Sequence, residues 1–154
     1  MSQEADALRA WLGLLKASNS LKKSVDTNFR SDFGLSISRF DVLAALDRAP
    51  ETGFRAGELS QLLMVTEGNT TQVTAPLIRD GLVKRTKADD DGRVAYFRLT
   101  SKGRKVFDRM AAQNRRHISN ALADLSSEDL TTLRNILGKI RVPIRDSVVG
   151  KDAA

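Results

Sequence analysis

The stretch Arg55–Thr100 reads RAGELSQLLMVTEGNTTQVTAPLIRDGLVKRTKADDDGRVAYFRLT, and it decides the fold of this chain. Its first half repeats apolar residues at three- and four-residue intervals, which is typical of helices. Its second half alternates apolar and polar residues on either side of an acidic tip that contains glycine, which is typical of a β-hairpin. The order helix, turn, helix, hairpin is that of a winged helix, a fold that commonly places one helix in a DNA groove. The stretch therefore predicts a mainly α fold with a small β-hairpin wing.

The helical half divides at Thr66. Arg55–Met64 predicts one helix, and the Thr66 hydroxyl is suited to cap the next helix, which Gly81 ends. The side chains expected in the core are those of Leu59, Leu62, Leu63, Val73, Leu77 and Ile78. Those expected in solvent along the first helix are Glu58, Ser60 and Gln61.

Short polar side chains crowd the N-terminal half of the second helix. Such side chains at a helix N-terminus can reach base edges, and the helix dipole favours a nearby phosphate. The alternative is that they line a solvated face. Pro76 is expected to kink this helix, since a proline inside a helix removes one hydrogen bond. The candidates for DNA contact here are Thr66, Asn69, Thr70, Thr71, Gln72 and Thr74.

The predicted wing has strands near Leu82–Lys87 and Val94–Thr100. At its tip Asp91 is expected to hold Arg93 extended for insertion into a minor groove. The alternative is an exposed tip with a surface salt bridge of little energetic worth. The basic side chains expected to contact phosphates are those of Lys84, Arg85, Lys87 and Arg98.

Long amphipathic helices are predicted outside the wing. Ala5–Phe29 and Ser101–Ala123 form two of them, and a last helix opens at Ser126 and ends at Pro143. Between the first helix and the wing, Asn28–Ile37 is expected to be a connecting segment. Ser38 is expected to begin the helix that follows, because Asp41 lies three residues after it, the spacing of a capping box.

The apolar stripes of the long helices exceed what one small wing domain covers, so pairing with a second copy is expected. The predicted organisation is an N-terminal dimerisation helix over 1–35, a winged helix-turn-helix over 36–100, C-terminal dimerisation helices over 101–146 and a flexible tail over 147–154.

The composition excludes several classes of protein. The chain has 154 residues, no cysteine, one histidine and a formal net charge of +6. Disulfides, thiolate metal sites and thiol-based oxidant sensing are therefore excluded, and His117 alone supports no histidine metal pair or catalytic triad. No catalytic constellation is found, so an enzyme is not expected, and no cofactor is implied. The positive charge favours nucleic acid or anionic ligands. A polar N-terminus and the lack of a long apolar run predict a cytoplasmic protein without a membrane partner.

These residues carry a resemblance to the MarR family of bacterial transcriptional regulators. The features that match are GELSQLLMVTEGNTTQV at 57–73, LIRDGLVKR at 77–85, Asp91-Gly92-Arg93, and RLTSKGR at 98–104. The resemblance implies a homodimer that reads a pseudo-palindrome, with the base-reading helix over Thr66–Asp80. Pro76 departs from the family, because relatives often carry a basic phosphate-contacting residue there.

The resemblance also implies a small aromatic effector, bound among the first, second and fifth helices, that relieves repression. The run from Arg39 to Thr71 is similar to a branch that answers to hydroxycinnamoyl-CoA thioesters, with free aromatic acids as the next class. The candidate lining residues, most of which also suit an ordinary core, are Trp11, Leu15, Ser18, Arg30, Phe33, Arg39, Phe40 and Phe107. Other functions left open are a winged helix used for protein contacts and a non-specific architectural DNA binder.

Overall fold

The computed structural model describes residues 2–88 and 92–141. These residues form helices α1 (Gln3–Phe33), α2 (Ile37–Asp47), α3 (Ala56–Leu63), α4 (Glu67–Arg79), α5 (Ser101–Ala121) and α6 (Ser127–Lys139), with strands β1 (Phe54–Arg55), β2 (Val83–Lys87) and β3 (Ala95–Leu99). The fold is mainly helical with a small sheet, which confirms the predicted class. Pro143 and the predicted tail 147–154 lie outside the described residues.

The three strands form one antiparallel sheet in the order β1-β3-β2. Ala95 and Phe97 of β3 are buried and Leu99 is half-buried, which confirms the predicted alternation. The edge strand β1 was not predicted, since two residues are too short to show a period. It pairs Phe54 with Phe97 in register.

Two predicted boundaries in the N-terminal third are wrong. The first helix does not stop at Phe29: α1 continues to Phe33 and ends at Gly34, whose φ of 66° suits a residue without a side chain. The cap of α2 is Ser36 rather than Ser38, because the Ser36 hydroxyl accepts the Arg39 N–H at 3.3 Å. The segment predicted as a connection is thus mostly helix.

The two predicted ends of the second helix of the helix–turn–helix, Thr66 and Gly81, are confirmed. The Thr66 Oγ1 accepts the Asn69 N–H at 3.3 Å and so caps α4. After α4, Gly81 has a φ of 73°, and the Leu82 N–H reaches back to the Leu77 carbonyl at 2.8 Å, which closes a Schellman motif.

The expected burial along α3 is wrong at two positions. Ser60 is buried and bonds to the Gly57 carbonyl, whereas Leu62 is exposed.

The core gathers side chains from α1 to α5 and the sheet. Its most deeply buried members are Phe29, Val42, Leu43, Leu46, Leu59, Leu77, Val83 and Met110. The expected core positions Val73 and Ile78 are half-buried and pack against this cluster. The core therefore holds the base of the wing and the buried side of α4 against α2, which also contacts α1.

A second compact unit begins at Leu122 and contains α6. Its helix opens with a capping box in which Ser126 and Asp129 bond each other's backbone N–H groups, at 2.9 and 3.1 Å. In the described part of the chain, no helix has the length and apolarity that crossing a membrane would need.

Candidate nucleic-acid interface

The exposed face of α4 carries three of the six polar candidates of this region. Asn69, Thr71 and Gln72 are exposed, and they occupy the first two turns of the helix. Thr66 is also exposed, although its hydroxyl oxygen already accepts the Asn69 N–H. These side chains lie beside the positive end of the α4 dipole, where amide and hydroxyl groups can meet base edges and a phosphate is favoured.

Two candidates on α4 are buried, which contradicts their assignment to a DNA-facing surface. Thr70 is 0% and Thr74 1% exposed. The Thr70 hydroxyl donates to the Thr66 carbonyl at 3.3 Å, and the Thr74 hydroxyl donates to the Thr70 carbonyl at 2.8 Å. Each hydroxyl is hydrogen-bonded to a backbone carbonyl one turn earlier in the helix. A threonine can therefore be buried at these positions without leaving its hydroxyl unpaired. Helical spacing was the signal that could have separated them from Thr71, because Thr70 and Thr74 precede the buried Leu77 by seven and three residues and so share its face of α4.

Pro76 lies inside α4 without ending it. The helix continues to Arg79, and the Asp80 N–H bonds to the Pro76 carbonyl at 3.0 Å. Because proline has no N–H, the Gln72 carbonyl lacks its helical donor four residues on. Gln72 is exposed. The missing hydrogen bond therefore falls on the side of α4 that carries the base-edge candidates.

The wing presents its basic residues in two groups. The hairpin closes where the Ala88 N–H bonds to the Val94 carbonyl at 2.9 Å, with Lys87 and Arg93 exposed beside this closure. Lys84 lies nearer the start of β2, and its partner across the sheet is Arg98. Side chains alternate along a strand, so Lys84 is on the opposite face of β2 from Arg85 and Lys87. Asp91, the expected partner of Arg93, lies outside the described residues.

The residues expected to line an effector pocket do not come together in one chain. Phe33, Phe40 and Phe107 join one aromatic group, in which Phe40 stacks on Phe107 with ring centroids 5.6 Å apart. The other three apolar or polar candidates, Trp11, Leu15 and Ser18, are exposed on the N-terminal half of α1. At a rise of about 1.5 Å per residue, they lie roughly 22–33 Å along the helix from Phe33.

The two expected anion anchors differ in their surroundings. Arg30 is engaged by Asp26, whose Oδ2 accepts its Nε–H at 2.7 Å. The other oxygen of Asp26 accepts the Ile37 N–H at 2.8 Å. These two hydrogen bonds, the backbone one first, lower the pKa of Asp26 below its ordinary 3.8. Arg30 therefore serves the junction of α1 with α2, while Arg39 is half-buried in the first turn of α2.

Two arginines of α5 that were not among the predicted ligand-binding residues line a cleft of the structure. Arg109 and Arg116 line a cleft of about 370 Å³ together with Phe33, Asp32, Ala112 and Gln113. The Arg109 guanidinium lies 5.5 Å from the centre of the Phe33 ring. The two arginines are the cations among the lining residues, and the carboxylate of the cleft, Asp32, accepts a hydrogen bond from Gln113. Their spacing of seven residues, two helical turns, was the signal in the sequence.

Within the described ranges, no cluster of three or more histidine, aspartate or glutamate side chains is placed to hold a metal ion. His117 instead bridges α5 and α1, with its Nε2 2.9 Å from the Ser24 Oγ and its Nδ1 3.0 Å from the Asn28 Nδ2. Its role is a structural one between two helices.

Comparison with known proteins finds transcriptional regulators in sequence and in structure. Residues 33–94 match the model of the MarR family. The chain is 29% identical to the transcriptional activatory protein BadR of Rhodopseudomonas palustris, over 96% of this chain and 87% of that protein. It is 26% identical to the HTH-type transcriptional regulator YdgJ of Bacillus subtilis, over 91% of this chain and 80% of that protein. Among solved structures, it resembles the MarR family regulator Sco3205 of Streptomyces coelicolor in complex with DNA, with a TM-score of 0.77, 24% identity and coverage of 87% and 84%.

Proposed function

Because this chain belongs to the MarR family of transcriptional regulators, and is therefore not an enzyme, we propose that it binds duplex DNA as a homodimer. The proposed site is a pseudo-palindrome, and a small aromatic anion releases the protein from it. The observation that supports the proposal is the combination of two surfaces in one fold. One is the exposed face of α4, which carries Asn69, Thr71 and Gln72, and the other is an exposed basic hairpin.

DNA recognition divides between α4 and the wing. Asn69 and Gln72 side chains can each present a donor and an acceptor to a base edge, which is the chemistry that distinguishes base pairs in the major groove. Arg93 at the hairpin closure is proposed for the minor groove, where arginine reads groove width. Arg85 and Lys87 on the same strand are proposed to contact phosphates, which position the protein without reading sequence.

The proposed homodimer is supported by exposed apolar surface on the long helices. Leu8, Trp11, Leu12 and Leu15 are exposed on α1, at spacings that bring them onto one stripe. Leu133, Ile136 and Leu137 of α6 and Ile140, the residue that follows it, are exposed as well. Contiguous apolar patches of this kind mark interaction sites. A two-fold pair of chains would cover them and set two α4 helices about one DNA turn apart.

The effector is proposed to bind in the cleft beside Phe33. An aromatic ring can stack on Phe33, and a carboxylate can pair with Arg109 and Arg116, which lie on the same face of α5. A free aromatic acid fits this chemistry, as does an aromatic acyl-CoA whose tail leaves the cleft. Release from DNA, and with it relief of repression, requires tighter binding of this ligand to the DNA-free state.

The test is selection of duplexes from a random pool by the purified full chain. We expect a two-fold symmetric motif with half-sites about 10 base pairs apart, the spacing of one DNA turn. Recovery of no motif, with binding lost at physiological salt, would contradict the proposal and favour a non-specific binder or a protein-contact module.

Two variants separate the proposed roles on the selected site. Arg93→Ala is expected to weaken specific binding by about 1–3 kcal/mol, whereas Lys87→Ala is expected to weaken binding to all sequences alike and reduce the salt slope by about one. A sequence-selective loss in Lys87→Ala, or unchanged affinity in Arg93→Ala, would exclude the corresponding role.

A further inference from the structure

A cleft of about 520 Å³ lies on the side of the wing that carries Lys84 and Arg98. The segment that follows α2, the strands β2 and β3, and the first turn of α5 form its walls. Its volume is within the range of small-molecule sites, roughly 300–1,000 Å³. The residues that line it are Leu46, Ala49, Pro50, Glu51, Lys84, Arg98, Leu99, Thr100, Ser101 and Arg104.

Two cations in this cleft are directly opposed. Lys84 and Arg98 are cross-strand partners in the register of β2 and β3. Like charges placed directly opposite each other in a sheet destabilise it. Within the described ranges, no carboxylate oxygen lies within 4.0 Å of a charged nitrogen of either side chain, so neither forms an ion pair there. The sheet thus carries an electrostatic cost that a bound anion would offset.

The other charges of the cleft leave this pair uncompensated. Arg104 also lines it, but its guanidinium is paired with Asp47 at 2.6 Å. Glu51 is the one carboxylate among the lining residues, so the balance within the cleft is positive. The N-terminus of α5 adds the positive end of a 21-residue helix, and Ser101 of its first turn supplies a hydroxyl.

The walls of the cleft are fixed by hydrogen bonds. The Thr100 hydroxyl donates to the Gly81 carbonyl at 2.6 Å and accepts the Gly103 N–H at 2.9 Å. The Thr100 N–H bonds to the Leu82 carbonyl at 3.1 Å. These bonds tie the start of α5 to the start of β2, so the backbone that carries the two cations keeps its position relative to the helix end before any ligand arrives.

We propose that this cleft binds the phosphate group of a small phosphorylated molecule. A phosphate monoester carries a charge of about −1.5 to −2 at neutral pH, which matches the two opposed cations, and its oxygens suit arginine, lysine and a helix N-terminus. This role replaces the DNA-phosphate contact that the sequence favours for Lys84 and Arg98. The inference goes beyond the proposed function and does not depend on the aromatic effector.

The position of the cleft argues against the DNA backbone as its occupant. Lys84 precedes Lys87 by three residues, which is about 10 Å along a strand and away from the hairpin closure. The alternation of the strand also sends the two lysines to opposite faces. A duplex held by Lys87 and Arg93 at the hairpin closure is therefore bound at the opposite end of β2 from Lys84.

The test is titration of the full chain with sodium pyrophosphate and with inorganic phosphate by calorimetry at constant, low ionic strength. The variant is the double substitution Lys84→Gln with Arg98→Gln. The matched control is Lys87→Gln, which removes a charge from the same strand on the other face. We expect the double variant to bind pyrophosphate at least about tenfold more weakly than the wild type, and the control to bind it as the wild type does.

The same proteins are then titrated with a non-specific duplex. We expect the double variant to keep its DNA affinity and Lys87→Gln to lose some of it. Equal pyrophosphate affinity in the wild type and the double variant would overturn the proposal, as would no binding by the wild type. Loss of DNA affinity in the double variant would assign the cleft to the DNA backbone instead.

Folding does not confound this comparison, because removing two opposed like charges is expected to leave thermal stability equal or higher. Lower stability would itself contradict the argument from the cross-strand pair. A wild type that binds pyrophosphate but no DNA would refute the proposed function and leave this inference standing.

Discussion

A Cβ atom on Gly103 would lie 1.9 Å from the carbonyl oxygen of Leu82. Gly103 is in the first turn of α5, and Leu82 immediately precedes β2. The two backbones are in contact, and the same carbonyl accepts the Thr100 N–H. Glycine is therefore required by the close approach of helix to strand, at the point where α5 joins the wing.

Substitution of Gly103 by alanine is expected to destabilise the protein by about 2–3 kcal/mol, because the methyl group meets backbone that does not yield without moving β2. The measurement is urea unfolding followed by circular dichroism. Gly68→Ala is the matched control: Gly68 is also in a helix, but nothing lies within 4 Å of its Cβ position. We expect the control to gain about 0.5–1 kcal/mol from helix propensity. Equal effects of the two substitutions would contradict the contact.

Met64 ends α3 in a left-handed conformation, with a φ of 56°, and its side chain is 93% exposed. A side chain in this conformation is strained, and glycine relieves the strain. Met64→Gly is therefore expected to raise the free energy of unfolding by about 0.5–1 kcal/mol, after the higher entropy of the unfolded glycine chain is subtracted. Met64→Ala keeps the strain and loses no buried contact, so it should change stability little. A loss of stability in Met64→Gly would show that the methionine is held there by packing.

Three local signals in the sequence predicted their elements correctly. Thr66 as a cap, Gly81 after α4, and the alternation of β3 depend on residues within one or two turns or within one strand, and the structure agrees with each. Two other local signals, Gly34 at the end of α1 and Ser36 at the start of α2, were missed, because Ser38 also suits a cap. The contact of the Asp26 carboxylate with the Ile37 N–H, 11 residues along the chain, strengthens the true boundary and depends on tertiary structure.

The candidate site shows the same division. Helical periodicity identified α4 and its polar half, but composition does not tell buried Thr70 and Thr74 from exposed Thr71. Their hydroxyls bond within the helix, which removes the expectation that a polar residue seeks solvent. The cleft of Lys84 and Arg98 depends on strand register and on the start of α5, both of which are set by tertiary packing.

Asp26 predicts a pH dependence of stability. The Ile37 N–H and the Arg30 guanidinium lower the pKa of its carboxyl in the folded state, so the folded protein binds fewer protons there than the unfolded one. The contribution is therefore present above pH 3.8, the ordinary pKa, and is lost as the pH falls through the lowered value. Asp26→Asn is expected to be less stable than the wild type at neutral pH, with a difference that narrows in acid.

The comparison requires urea unfolding of both proteins at neutral pH and again below the lowered pKa. Asp6→Asn is the control, since Asp6 and Arg9 form an exposed pair at 3.5 Å. Such pairs contribute about 0–1 kcal/mol, so the control should be near the wild type throughout. A difference between Asp26→Asn and the wild type that stays constant with pH would exclude the carboxylate as its origin.

The buried and exposed residues of α4 are expected to separate stability from DNA recognition. Thr74→Val replaces a hydroxyl that donates to the Thr70 carbonyl by a methyl group of similar size, and it is expected to lower stability by about 1 kcal/mol without changing which DNA sequence is selected. Gln72→Ala removes an exposed amide, so it should leave stability nearly unchanged and relax the preference at one base pair of each half-site, by about 1–3 kcal/mol. Selection from a random duplex pool with each variant, together with urea unfolding, measures both properties. If Thr74→Val changed the selected sequence while Gln72→Ala did not, the face of α4 proposed here for DNA would be the wrong one.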